Sequence, residues 1–331
     1  MAEIKNEKTD LLKIETKVEG PWIVAWKRFK KNKVSLAGGI LFVLIFLSVW
    51  IIPFVIDFQL QGDLGYTGVE RFGNAMSINI GEHGFDLTNS RQKPSFIDSE
   101  SEHFLGTDDQ GRDILFRVFF GGRMSMNIGF LVAFMTMFLG STIGILAGYH
   151  GGIVDDLLMR FTEIVASLPF LPIMMTLSFI MRWVPQEQTM FVVVIVIGII
   201  SWTGLARLVR GQVLSLRELE FMQATEILGL STTSRLFRHL LPNVLTYIIV
   251  STTLGIGGAI LLEAGLSFLG LGVTPPAPSW GNMVQAARTG VILQSFPHMW
   301  VPPGLLIILT VVSVNLLGEG LRDALDPKEI R

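Results

Sequence analysis

Residues 217–243 read RELEFMQATEILGLSTTSRLFRHLLPN. Leu219, Met222, Ile227 and Leu228 are apolar among Glu218, Glu220, Gln223 and Glu226, a spacing that predicts a short amphipathic helix over 217–229. Gly229 supplies the left-handed residue that ends it. Ser231 is placed to cap a second helix, and Pro242 opens the apolar run that follows, where its missing N–H costs little. Two short helices are therefore expected to meet at a sharp glycine corner. What makes this stretch decisive is its setting, because both flanks are long and apolar.

The chain has 331 residues, half of them hydrophobic and only 16% charged, against about 25% charged in soluble domains. A spanning helix needs about 20 mostly apolar residues. Six segments qualify, near 36–56, 126–149, 164–181, 190–208, 244–262 and 300–317. The fold class is an all-α polytopic membrane protein with six transmembrane helices. In the second segment Gly140, Gly144 and Gly148 form a small-residue stripe that admits a close helix neighbour, either within the chain or in a second subunit.

Orientation follows from the basic residues. With the N-terminus inside, 18 of the 26 Lys and Arg fall on the cytoplasmic side, and KRFKKNK (27–33) abuts the first span. Both termini are expected in the cytoplasm. A polar stretch of about 35 residues before the first apolar run does not suit a cleavable signal peptide. Residues 1–35 form a cytoplasmic arm, with PWIVAWKRF as a helix lying at the lipid headgroups. Residues 36–56 are the first span, 57–124 an outside loop of turns and short strands, and 125–331 a block of five spans. The second outside segment, 263–300, is too apolar for a free loop and is broken by Gly265, Gly270, Gly272 and PPAP (275–278). It is expected to fold back against the bundle, with a short helix from Trp280 to Arg288 capped by Ser279.

Several chemistries are excluded or disfavoured. The chain has no cysteine, so it has no disulfide, thiolate nucleophile or Cys-based metal site. The five histidines are scattered without zinc spacing. Asp108, Asp109 and Asp113 in GTDDQGRD could be a carboxylate cation cluster, but Asp-rich turns more often satisfy their own backbone N–H groups. Glu163 is expected near the interface or paired with a base such as Arg160. Glu263 either lines a pore mouth or caps the GLSFLG turn. No catalytic, cofactor or metal residue is read from the sequence, and a net charge of −2 gives no sign of a nucleic-acid partner.

EFMQATEILGLSTTSRLFRHLLPN resembles the cytoplasmic loop shared by membrane subunits of ATP-binding-cassette importers: Glu-Ala-Ala, three residues, Gly, nine residues, an apolar residue, one more, then Leu-Pro. Ala224, Gly229, Leu241 and Pro242 are in register; Gln223, Thr225 and His239 depart from the pattern. HFLGTDDQGRDILFRVFFGGRMSMNIG (103–129), GYHGGIVDDLLMRFTEIVASLPFLP (148–172) and LLEAGLSFLGLGVTPPAPSWGNMV (261–284) resemble the second, C-type membrane subunit of the dipeptide, oligopeptide and nickel permeases. The likeness covers about 103–325 and the first span, with 57–102 outside it.

The resemblance implies a type I importer fold in a bacterial or archaeal cell membrane. It implies a pore shared with a homologous second permease, two ATPase subunits docked at loop 217–243, and an extracytoplasmic solute-binding protein delivering cargo. Glu220, Phe221, Gln223, Ala224, Gly229, Leu230 and Pro242 are the implied coupling residues. Glu263, Ser267 and Trp280 are candidates for the pore or outer mouth. ATP and Mg would be held by the partners, since the chain lacks the phosphate-binding GxxxxGK[ST] loop. Loop 57–102 is expected to contact the binding protein or the partner permease. The alternative, a self-sufficient secondary transporter, calls for ionisable groups near the midplane and inverted repeats, and the spans are nearly free of charge away from their ends.

Overall fold

The computed structural model describes residues 21–64, 80–81, 84–85, 90–94, 97, 104–181, 183–275 and 277–325. The first 20 residues of the arm, most of loop 57–102 and the last six residues lie outside these, and so do the expectations placed on them. Helix α1 (Pro21–Lys31) is the expected amphipathic piece, with Trp26 exposed and Phe29 buried. It leads into α2 (Lys33–Leu64). Strands β1 (Ile80–Gly81) and β2 (Gly84–Phe85) pair antiparallel. The remaining helices are α3 (Ile114–His150), α4 (Gly152–Ser167), α5 (Phe170–Met181), α6 (Gln186–Arg217), α7 (Glu220–Ile227), α8 (Thr232–Leu269), α9 (Trp280–Val284), α10 (Gly290–Ser295) and α11 (Val301–Leu325).

Helices α2, α3, α6, α8 and α11 are each long and apolar enough to cross a membrane, and α4 with α5 makes a sixth crossing if the bent pair counts as one. The third span, expected near 164–181, is thus a pair of helices that begins at Gly152 and bends by 69°. Proline is the reason. Pro169 disfavours the helical region for the residue before it, and Leu168 sits at φ −65°, ψ 127°.

The outside loop is also shorter than expected, because α3 begins at Ile114 and not near 125. The Asp113 carboxylate caps it by accepting from the Phe116 N–H at 3.2 Å. At 1.5 Å per residue, 37 residues span about 55 Å, well beyond a hydrocarbon core of about 30 Å, so α3 projects past the membrane.

The pairing of α3 with α6 is built on the glycine stripe. A Cβ on Gly140 would lie 2.8 Å from Leu205 Cβ, on Gly144 2.6 Å from the Ala206 carbonyl oxygen, and on Gly148 2.8 Å from Val213 Cβ. The stripe is thus an internal seam and not a subunit interface.

Pro242 does not start a separate span. From Thr232 the helix runs through a π turn, Arg235–Leu240, into Leu241–Leu269. The Leu241 N–H reaches back five residues to Leu236 O, a register shift of the kind that π-bulges make. Pro242 follows it as a residue with no N–H to place.

Candidate coupling corner and membrane path

Helix α7 is shorter than expected at its start, since Arg217 still belongs to α6 and the turn falls at Glu218 and Leu219. The break at its other end is where the sequence put it. Gly229 has φ +68°, with open space where a Cβ would stand. Ser231 caps the next helix by accepting from Ser234 N–H at 3.3 Å.

The amphipathic expectation needs a correction. Of the four apolar residues assigned to one face, only Met222 is buried. Leu219, Ile227 and Leu228 are exposed, the last two at 87% and 76%. Met222 and Thr225 turn inward, and the Thr225 hydroxyl donates to Met222 O at 2.6 Å. Glu220, Phe221, Gln223, Ala224, Gly229 and Pro242 are all exposed and Leu230 partly so. The Gln223 amide donates to Glu218 O at 3.1 Å. The corner thus presents Ile227, Leu228 and Phe237 as an apolar knuckle.

What holds the knuckle is a continuous core. Met222 packs with Val209, Val213, Leu240 and Val244, and Tyr149 of α3 joins them. Polar ties reinforce this. Arg217 donates to Tyr149 O at 3.0 Å, and Arg235 lies 5.8 Å from the Tyr149 ring while pairing with Glu226 across the corner at 3.4 Å. Two turns deeper on α6, Arg210 grips Asp155 of α4 through two bonds of 2.5 Å. Helix α7 is thus tied by packing and polar bonds to α3, α6 and α8, and α6 in turn to α4 through Arg210. By contrast, Arg160 and Glu163 are exposed, and no ion pair joins them among the described residues.

At the opposite end, Glu263, Ser267 and Trp280 come together as one buried network and do not face solvent. Ser125 donates to Glu263 Oε2 at 3.0 Å and Ser267 to Oε1 at 2.6 Å. Ser125 accepts from Trp280 N–H at 3.1 Å, Ser267 from Val273 N–H at 3.2 Å, and the Trp280 indole donates to Val118 O at 2.8 Å. Ser279 and Asn282 form a capping box on α9, which continues as a 3-10 turn to Arg288 as expected. Glu263 is thus the anchor of the re-entrant segment. Asp108 likewise serves structure: it accepts from the Gln110 and Arg112 backbone N–H groups and from Arg112 Nε at 2.7 Å, with Arg117 Nε 3.4 Å away.

Sequence reasoning missed a hollow of about 330 Å³ between α3, α6 and α8. Thr136, Ser201, Gly204, Thr252, Gly255 and Gly258 are among its walls. Cβ atoms on the three glycines would meet nothing within 4 Å. Thr136 Oγ1 and Thr252 Oγ1 are buried without a partner inside the protein. The available signal was the run of small and hydroxyl residues STTLGIGG at 251–258, which reads from sequence as ordinary helix packing.

Residues 140–331 match the family described as binding-protein-dependent transport system inner membrane component, and residues 20–67 match the N-terminal membrane domain of oligopeptide transport permease C. The chain belongs to this family of importer permeases and is a pore-forming membrane subunit of an ATP-binding-cassette importer, which leaves the self-sufficient transporter without support. It is 36% identical to the glutathione transport system permease protein GsiD of Pectobacterium atrosepticum, over 94% of this chain and 92% of that one. It is 36% identical to the oligopeptide transport system permease protein OppC of Haemophilus influenzae, over 95% and 92%. To the dipeptide transport system permease protein DppC of Alkalihalophilus pseudofirmus the identity is 37%, over 93% and 90%.

Proposed function

We propose that the chain imports short peptides, with the corner at Gly229 receiving the stroke of partner ATPases. The observation that carries the reading is the apolar knuckle of Ile227, Leu228 and Phe237, exposed on a segment whose other side is locked into the core. Large apolar groups left in the open on a polar loop are characteristic of a docking surface. Phe221, Ala224 and Leu230 flank it, and Glu220 and Gln223 give it a polar rim. The chain does no chemistry of its own. ATP and Mg belong to two ATPase subunits, a homologous permease completes the pore, and a binding protein outside the cell delivers the cargo. With both termini cytoplasmic, the knuckle faces the ATPases and the Glu263 network faces the binding protein.

The hollow lined by Thr136, Ser201 and Thr252 is this subunit's share of the path. Its hydroxyls exchange bonds with a peptide backbone as readily as with water, and its glycines leave room. The reading is tested by reconstituting this chain with the permease, ATPases and binding protein encoded beside it. ATP-dependent uptake of labelled di- to pentapeptides, lost when the ATPases are omitted, is expected. Uptake without nucleotide, or saturable uptake of a non-peptide solute alone, contradicts it.

A further inference from the structure

A groove of about 510 Å³ runs between α1, the first part of α2, α8 and the end of α11. Its walls are wholly apolar, with Trp26 and Phe29 on one side, Ile40 and Leu44 along the span, and Leu321 and Leu325 at the end of α11. Ile40 and Leu44 are 54% and 60% exposed, so the groove is continuous with the outer surface of the bundle.

Its rim has the opposite chemistry. Helix α1 carries Arg28, Lys30 and Lys31 in its last turn and Lys33 opens α2, while residues 21–39 contain no Asp or Glu. Lys30 Nζ stands 5.0 Å from the centroid of the Trp26 ring, which fixes a cation beside the groove wall. Lys31 and Lys33 are exposed. On α11, Arg322 is three residues before Leu325 and shares its face, whereas Glu319 and Asp323 are each two residues from Leu321 and face elsewhere.

We propose that this groove holds an acyl chain of an anionic phospholipid whose phosphate rests against Lys30 and Lys33. The hollow offers water no hydrogen-bond partner and offers hydrocarbon a complete lining. A rim of cations on which no carboxylate pairs with Lys30 or Lys33 among the described residues matches a phosphodiester. Ammonium groups at the surface of anionic lipid add attraction that corresponds to about fivefold in affinity per lysine. Arginine-rich alternatives are not needed, because a lysine is a point charge suited to one phosphate.

The test uses the assembled transporter in nanodiscs of equal phosphatidylglycerol and phosphatidylcholine, followed by native mass spectrometry after detergent release. The wild type should retain phosphatidylglycerol in preference to phosphatidylcholine. The combined Lys30→Gln and Lys33→Gln variant, altered only at exposed positions, should retain at least about tenfold less. Raising salt should reduce the preference in the wild type and not in that variant. Gly39→Leu fills the groove, since a Cβ there makes only ordinary contacts with Leu317 and Phe29, and should lower retention of both lipids. Equal retention of the two lipids by the wild type, or unchanged retention in the lysine variant, overturns the proposal. So does efficient cross-linking of Ile40→Cys to the partner permease, which would place protein in the groove.

Discussion

The carboxyl of Glu263 accepts from Ser125 and Ser267 with no solvent access, and those hydroxyls in turn accept the Trp280 and Val273 N–H groups. Removing it orphans two buried donors and opens a cavity. Glu263→Ala should therefore destabilise the purified complex by about 2–4 kcal/mol. Glu263→Gln, which keeps the shape and an acceptor, should lose less than half of that. Thermal unfolding in detergent measures both. Glu226 is the contrasting case. It pairs with Arg235 across the corner, but its side chain is 74% exposed, and exposed pairs contribute about 0–1 kcal/mol. Glu226→Gln should leave ATP hydrolysis and uptake close to wild type, and a large loss in either would show that the pair has a role beyond stability.

Among elements, the α3–α6 seam leaves little room. A Cβ on Gly144 would sit 2.6 Å from a backbone oxygen, which cannot swing aside as a side chain can. Gly144→Val should cost at least about 1–3 kcal/mol by overpacking, read as loss of complex yield and a lower unfolding temperature. His298 sits in the 3-10 turn after α10, against the backbone of Gln92 and Thr107. Burial holds the His298 imidazole below its ordinary 6.5, with Lys93 adding to the effect. The neutral ring is the one the fold prefers, so the packing is fully present above pH 6.5 and is lost as pH falls through the lowered value. The protection factors against hydrogen exchange, corrected for its base-catalysed intrinsic rate, at the Arg91 and Thr107 amides, bonded to Asp108 O and Gln92 O, should fall below pH 6.5 and stay flat above it.

These elements also show what sequence carries. The six apolar runs, Gly229 at positive φ and the Ser279 cap follow from local rules. The bend at Pro169 and the Asp113 cap that starts α3 are local signals as well. The outward turn of Ile227 is not, since the described residues supply nothing that covers it.

For the molecule as a whole, the two ends are built differently. One is closed by the Glu263 network, and the other ends in a knuckle braced on Tyr149, Arg210 and Asp155. The hollow between α3, α6 and α8 lies between them, and Leu205 of its wall shares one core with Val209 and with Met222 of α7. Filling that hollow without touching the corner should separate path from drive. Gly258→Leu, placed where a Cβ meets nothing within 4 Å, should reduce peptide uptake severalfold while substrate-stimulated ATP hydrolysis persists. Equal uptake would put the path elsewhere.

The central claim is that the corner at Gly229 transmits the stroke, and Gly229→Val tests it most directly. The left-handed backbone makes a branched side chain unfavourable by on the order of 1–2 kcal/mol, and the open space there rules out a clash within the chain. Insertion and pairing with the second permease should therefore survive. The measurement is the number of ATP molecules hydrolysed per peptide transported by the reconstituted complex. The account predicts that Gly229→Val raises this ratio several-fold at near-normal assembly. A wild-type ratio, with wild-type uptake, would contradict it and reduce the corner to a plain loop.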